Sequence, residues 1–249
     1  MKNHFEKFGI KHLSPSSTDL ARNDMGLWVL RYLFKEYEPA NMAMLRGKLV
    51  EKACFEISEN EPFNLQPETA TVEEFNRATA LGCDAEQRDK ERENIIGMCQ
   101  QYREFVGEKP KKIQETQRKI SLDIEGLAVP MIGFTDFEYE DEIVDIKTTA
   151  RLPPKISQPH RRQGAVYAKA SGNRSVSFLY LTQKKAAKYL LEDYEDDFNE
   201  VVQTSLRLQK FLSLSDDPEE LASIVIPNYD HFYFRSEFIR EAAKRHFGF

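Results

Sequence analysis

At Arg118 the hydrophobic period of this chain changes. Ile120, Leu122 and Ile124 alternate with Lys119, Ser121, Asp123 and Glu125, the period of two that marks a half-buried strand. Leu127 to Tyr139 and Ile143 to Thr148 follow across an acidic turn at Glu140-Asp141-Glu142, so three strands are expected as an antiparallel meander. Only a fold that seats a sheet among helices accommodates this, because the flanking sequence has a different period.

Before the switch the pattern is helical. Ser14 can cap a helix opening at Pro15, Leu27 to Phe34 is apolar enough for a buried helix, and a further helix is expected from about Ala40 to Ile57. Residues 59 to 70, with Pro62 and Pro67, read as a loop. Gln87 to Val106 carries Ile95, Cys99, Tyr102 and Val106 at helical spacing. After the meander, Pro159 suits the opening of a helix ending near Gly172, and Val176 to Leu181 supplies a buried strand. Asp196 to Leu214 has Phe198, Val201, Val202, Leu208 and Leu212 on one stripe, and a last helix is expected from about Ser236. The order predicts an α/β fold with a mixed central sheet flanked by helices. One domain is expected over 1–249: a helical part to about 114, a sheet core at about 115–182, and a helical part beyond about 183.

Composition narrows the class. With 41% hydrophobic and 31% charged residues the chain is polar but not disordered, and no secretion signal or membrane span is visible, so a cytoplasmic protein without a membrane partner is expected. Cys54, Cys83 and Cys99 are scattered, odd in number and form no CxxC pair, which predicts reduced thiols. A net charge of −6 excludes a broad basic coat for nucleic acid, though not a local one.

The strand Ile143-Val144-Asp145-Ile146-Lys147 concentrates the chemistry. Alternation places Asp145 and Lys147 on one face, with Val144 and Ile146 opposite in the expected core. Asp136 closes the preceding strand in Gly133-Phe134-Thr135-Asp136, and the short turn brings both carboxylates together. Carboxylate oxygens, with the Ile146 carbonyl, suit a hard divalent cation such as Mg²⁺. The competing explanation is a surface ion pair beside a turn-capping aspartate.

With these segments in order, the chain resembles the PD-(D/E)xK nucleases, in particular the RecB-like and Cas4-like branch and its standalone phage-type exonucleases. The matching segments are Ser14-Pro15-Ser16, Gly47-Lys48-Leu49-Val50-Glu51, Gly133-Phe134-Thr135-Asp136, Asp145-Ile146-Lys147, Gln163-Gly164-Ala165-Val166-Tyr167 and the tail Ile226-Pro227-Asn228-Tyr229-Asp230-His231-Phe232-Tyr233. The resemblance implies a restriction-endonuclease-like core and a metal-dependent deoxyribonuclease, an exonuclease of phage-type recombination or DNA processing. It implies Glu51, Asp136 and Asp145 as ligands of Mg²⁺, for which Mn²⁺ can substitute, and Lys147 as the group that orients or deprotonates the attacking water. It further implies Gln163 and Tyr167 at the DNA, and a single-strand annealing protein or other recombination factor as a partner. Three scattered cysteines cannot supply the four that hold an iron-sulfur cluster in some relatives, so no cluster is expected. An endonuclease, a Cas4-like DNA-processing protein and an inactive DNA-binding module on the same fold remain alternatives.

Residues 151–162 add a basic stretch without an acidic residue, making Arg151, Lys155, Arg161 and Arg162 candidate phosphate contacts. Gln163 and Tyr167 stand four apart on one helix face, where an amide and a ring can reach a nucleic-acid strand. Ser16 is a further DNA-contact candidate, although capping explains its segment equally well. Lys109, Lys111 and Lys112 are expected to form a second basic edge.

Overall fold

The computed structural model describes residues 3–38, 41–59, 67–80, 84–108 and 110–248. The chain opens with α1 (Pro15–Asn23), α2 (Met25–Tyr32), α3 (Met42–Glu59), α4 (Pro67–Ala78) and α5 (Ala85–Val106). The sheet section follows as β1 (Glu115–Leu122), β2 (Met131–Glu138), β3 (Glu142–Thr148), α6 (Gln158–Ala170), β4 (Ser175–Leu181) and β5 (Ala186–Leu190). The chain then closes with α7 (Glu195–Leu212), α8 (Pro218–Ser223) and α9 (Glu237–Phe247). Among the described residues no helix is long and apolar enough to cross a membrane.

Local chemistry accounts for the starts of the first two helices. Ser14 and Ser17 exchange side-chain and backbone hydrogen bonds, Ser17 N–H to Ser14 Oγ at 3.1 Å and Ser14 N–H to Ser17 Oγ at 2.8 Å, and Pro15 occupies the first turn. Asp24 caps α2 by accepting from Leu27 N–H at 2.9 Å.

The five strands form one mixed sheet in the order β1-β2-β3-β4-β5. β1 with β2, β2 with β3 and β4 with β5 are antiparallel, whereas β3 and β4 are parallel and joined through α6. Helices cover both faces. On one, Leu49, Val50, Ala53 and Cys54 of α3 and Ile95, Met98, Cys99 and Tyr102 of α5 pack against Phe137, Val144, Ile146 and Leu179. On the other, Tyr167 and Ala168 of α6 pack against Ile120, Ile143, Val176 and Phe178. A third cluster joins α2 and α7 to the start of β2 through Trp28, Val29, Leu208, Leu212 and Met131, with Leu20 and Ala21 of α1 packed against it.

Two departures from expectation stand out. Pro67 opens α4 instead of belonging to a loop, and α4 packs against both α3 and α5 through Val72 and Phe75; residues 60–66, including Pro62, lie outside the described residues. The sheet also extends past the expected limit of about 182, because Ala186–Leu190 pairs with β4 as an edge strand. Cys54 and Cys99 are buried free thiols as expected, and Cys83 lies outside the described residues.

Candidate active site

The site is a fork in the sheet. β2 and β3 pair at Phe137↔Val144 and Glu138↔Ile143, closed by Tyr139 N–H to the Glu142 carbonyl at 2.8 Å, and then part. A buried backbone N–H that loses its strand partner needs another acceptor. For Ile146 that acceptor is a side chain, since its N–H donates to Asp136 Oδ2 at 2.7 Å. The N–H and C=O of one strand residue point to the same edge, so the Ile146 carbonyl also faces the fork.

Asp145 lies on β3 with only 1% of its surface exposed, on the face covered by α6. The same-face relation with Lys147 holds: Lys147 Nζ is 2.6 Å from Asp145 Oδ1 and 5.9 Å from the Phe178 ring centre. The contact is close but poorly directed, leaving Oδ1 without a well-formed hydrogen bond. Its other oxygen, Oδ2, accepts from Gln163 Nε2 at 3.2 Å.

Two glycines explain how side chains from separate layers arrive here. A Cβ on Gly47 would meet Thr148 Oγ1 at 3.3 Å, so α3 runs tight against the end of β3, and Glu51, one turn on along the same face, reaches the fork. A Cβ on Gly133 would lie 2.8 Å from Tyr167 Cε1. The bare backbone there admits the Tyr167 ring, whose hydroxyl donates to the Phe134 carbonyl at 2.7 Å and accepts from Gln163 Nε2 at 2.7 Å.

Electrostatics mark the cluster as short of positive charge. Burial, reinforced by the charges of Asp145 and Glu51, raises the Asp136 carboxyl well above its usual range. Burial likewise raises Asp145 against the opposing pull of Lys147, and raises Glu51, where the Gln117 hydrogen bond opposes it and the Asp145 charge adds to it. Burial works against the Lys147 ammonium, yet the charges of Asp145 and Asp136 prevail and its proton is held more tightly than usual. Three carboxylates thus surround Lys147, with Lys48 adding positive charge at Glu51 alone, an imbalance that a divalent cation relieves.

Among the described residues no group of three or more His, Cys, Asp or Glu side chains is placed to hold a metal ion. Each acid is engaged elsewhere: Asp145 with Lys147 and Gln163, Asp136 with Ile146 N–H, and Glu51 with Gln117. The donor set still suits a hard cation. It is all oxygen and it carries surplus negative charge, with Lys147 2.6 Å from Asp145 Oδ1 as the cation beside it.

Several expected DNA contacts are turned inward. Tyr167 is 3% exposed, because Gly133 admits its ring against the sheet, so it supports Gln163 rather than facing DNA. Arg162 is buried between Asp19 and Glu200, and Arg161 is bound to Asp197 at 2.8 Å and to the carbonyls of Glu192 and Asp193. Both tie α6 to neighbouring segments. Lys111 pairs with Asp141 at 2.9 Å, and Lys109 lies outside the described residues. Arg151 and Lys155 are exposed on the segment after β3 and remain available. Ser16 is exposed and shares with Arg31, His160, Gln163 and Tyr233 a cleft of about 420 Å³ beside the fork.

One residue escaped the sequence. Gln117 on β1 directs its side-chain amide to Glu51 Oε1 and, at 3.5 Å, to Asp136 Oδ1. It precedes the alternation that marks the strand and belongs to none of the matching segments, so only the β1–β2 register could have pointed to it.

No family model matches the chain, and no curated protein does. Similar solved structures include SSO0001, at 14% identity over 72% of this chain and 91% of that one with a TM-score of 0.34. Rai1 of Scheffersomyces stipitis, solved in complex with (3'-NADP)+ and calcium ion, is 14% identical over 88% of this chain and 74% of its own, with a TM-score of 0.31. Overlaps this loose decide neither fold family nor activity. What the structure defines is an α/β protein whose five-stranded mixed sheet, flanked by helices, carries an acidic fork.

Proposed function

We propose that this chain is a metal-dependent deoxyribonuclease of the PD-(D/E)xK type, built on a restriction-endonuclease-like core and acting on DNA ends. The observation that carries the proposal is the parting of β2 and β3 at Asp136 and Asp145, with Lys147 on the Asp145 face and Glu51 brought in by α3.

Glu51, Asp136, Asp145 and the Ile146 carbonyl would hold Mg²⁺ or Mn²⁺. Such an ion, when bound, lowers the pKa of a coordinated water and neutralises charge on the phosphoryl oxygens. The remaining work falls to the chain. Lys147, whose proton is held by the charges of Asp145 and Asp136, is placed to donate a hydrogen bond to the attacking water or a phosphoryl oxygen, or, once a cation has taken up those charges, to accept the water's proton. Gln163 fixes the direction of the Asp145 carboxylate, and Tyr167 fixes Gln163. Arg151 and Lys155 offer positive charge to the phosphates beside the cut.

The test is cleavage of linear, circular and single-stranded DNA, labelled at either end, in Mg²⁺ and in Mn²⁺. Linear DNA should be digested from its ends, and Asp145→Ala and Lys147→Ala should fold, the first losing at least about 10³-fold in rate, or ~4 kcal/mol of barrier. Rapid cutting of circles would make the protein an endonuclease. Unimpaired turnover in both variants, or a wild type without any activity, would overturn the proposal.

A further inference from the structure

Gln117 is the one mid-strand residue of the sheet with a left-handed backbone, φ +49°, among the described residues. The flanking pairs, Thr116↔Phe137 and Arg118↔Thr135, keep one register, so no residue is inserted and this is not a bulge. That register sets Gln117 opposite Asp136, yet the two do not pair in the ladder. A glutamine adopts such a conformation inside a strand only when its surroundings impose it. What the kink achieves is visible in the side chain, which spans Glu51 on α3 and Asp136 on β2 through a single amide.

We infer that Gln117 is a positioning residue of the proposed metal site, tying two candidate ligands from different layers to one amide and so limiting how far apart they stand before a cation arrives. The inference rests on the nuclease reading and adds to it a residue that touches neither substrate nor reacting atoms. The choice of an amide has a chemical reason. A lysine or arginine here would neutralise the carboxylates permanently and compete with the metal, whereas a neutral donor eases their repulsion and yields to a divalent charge. The residue lines a groove together with Glu51, Lys48, Lys52 and Phe55.

Two substitutions respect the backbone. Gln117→Gly accepts φ +49° without strain, and Gln117→Asn tolerates it but is one methylene too short to span both acids. Mn²⁺ binding to the full chain without DNA, followed by calorimetry, should weaken about 10- to 100-fold in both variants, as for other residues that orient metal ligands. The Mg²⁺ concentration that half-saturates cleavage should rise by a similar factor, the rate at saturating Mg²⁺ should recover, and the metal-free melting temperature of the glycine variant should not fall. Unchanged Mn²⁺ affinity in both variants, alongside an active wild type, would overturn this inference and leave the nuclease reading standing. A wild type that neither binds Mn²⁺ nor cuts DNA would overturn both.

Discussion

Two residues apart on β2, Asp136 and Glu138 are acids with opposite circumstances. Glu138, 4% exposed, accepts from Arg118 Nε at 2.6 Å, Arg174 Nη1 at 2.7 Å and Thr135 Oγ1 at 2.8 Å. Burial alone would raise its carboxyl, but these hydrogen bonds and the two guanidinium charges outweigh it and hold the group below its usual range. At Asp136 burial raises the carboxyl, the charges of Asp145 and Glu51 add to the rise, and the Lys147 charge and the Ile146 N–H oppose it without prevailing. The two acids differ in their company: two guanidinium groups and a hydroxyl at Glu138, two carboxylates and one ammonium at Asp136.

Removing Glu138 should give the largest effect. Glu138→Ala leaves Arg118 and Arg174 without their shared acceptor, which should cost about 3–5 kcal/mol. For a chain of this size that corresponds to a fall of roughly 10 °C in calorimetric melting, and an unchanged melting temperature would mean that the two clusters are not distinct. At the fork the signs should invert. Mg²⁺ at about 100 times its dissociation constant should stabilise the wild type by ~2.7 kcal/mol. Asp136→Asn should lose that gain and also cleavage, yet raise metal-free stability, because the cost of burying its charge beside Asp145 and Glu51 is removed. If Asp136→Asn instead destabilises the metal-free protein, the surplus of negative charge is not real.

The smallest effect sharpens the same contrast through pH. A carboxyl raised on folding contributes stability that is full below its ordinary value near pH 4 and lost as pH rises through its folded value. The advantage of Asp136→Asn over wild type, both without metal, should therefore shrink as pH falls towards the ordinary carboxyl value near 4. Glu138 runs oppositely, its contribution present above its ordinary value near 4.5 and lost as pH falls through the lowered one. His160, held down to about 4 by burial and the Lys147 charge, also costs stability as pH drops below 6.5, because the unfolded chain takes up the proton first. Both groups are common to the two proteins, so urea titrations compared pairwise isolate the fork. A gap that widens on acidification would contradict the sign given to Asp136.

Much of this architecture is legible in the amino-acid order because it depends on local rules. Alternation places Asp145 and Lys147 on one face of β3, Ser14 and Pro15 announce α1, and the stripe from Val201 to Leu212 announces α7. The failures have a common origin in partners distant along the chain. Arg161 and Arg162 read as a phosphate surface because their segment has no acid, but Asp197, Asp19 and Glu200 reach them through space. Pro67 reads as a breaker although it occupies a helix start, and Ala186-Ala187 lacks the branched residues that announce a strand although β4 offers an edge to pair with. At the site, the spacing of Gln163 and Tyr167 is visible, while the inward turn of the ring depends on Gly133, 34 positions earlier. The backbone of Gln117 leaves no mark in composition at all.

The contact between Gly133 and Tyr167 has a mechanical consequence. Any side chain at 133, even a methyl, must push the aromatic ring off β2 and with it the face of α6 from which Gln163 extends. Volume added where no ligand could touch is thereby converted into a turning of the Asp145 carboxylate, so that the tolerance of the acidic fork to misalignment is set by the thickness of one bare stretch of backbone.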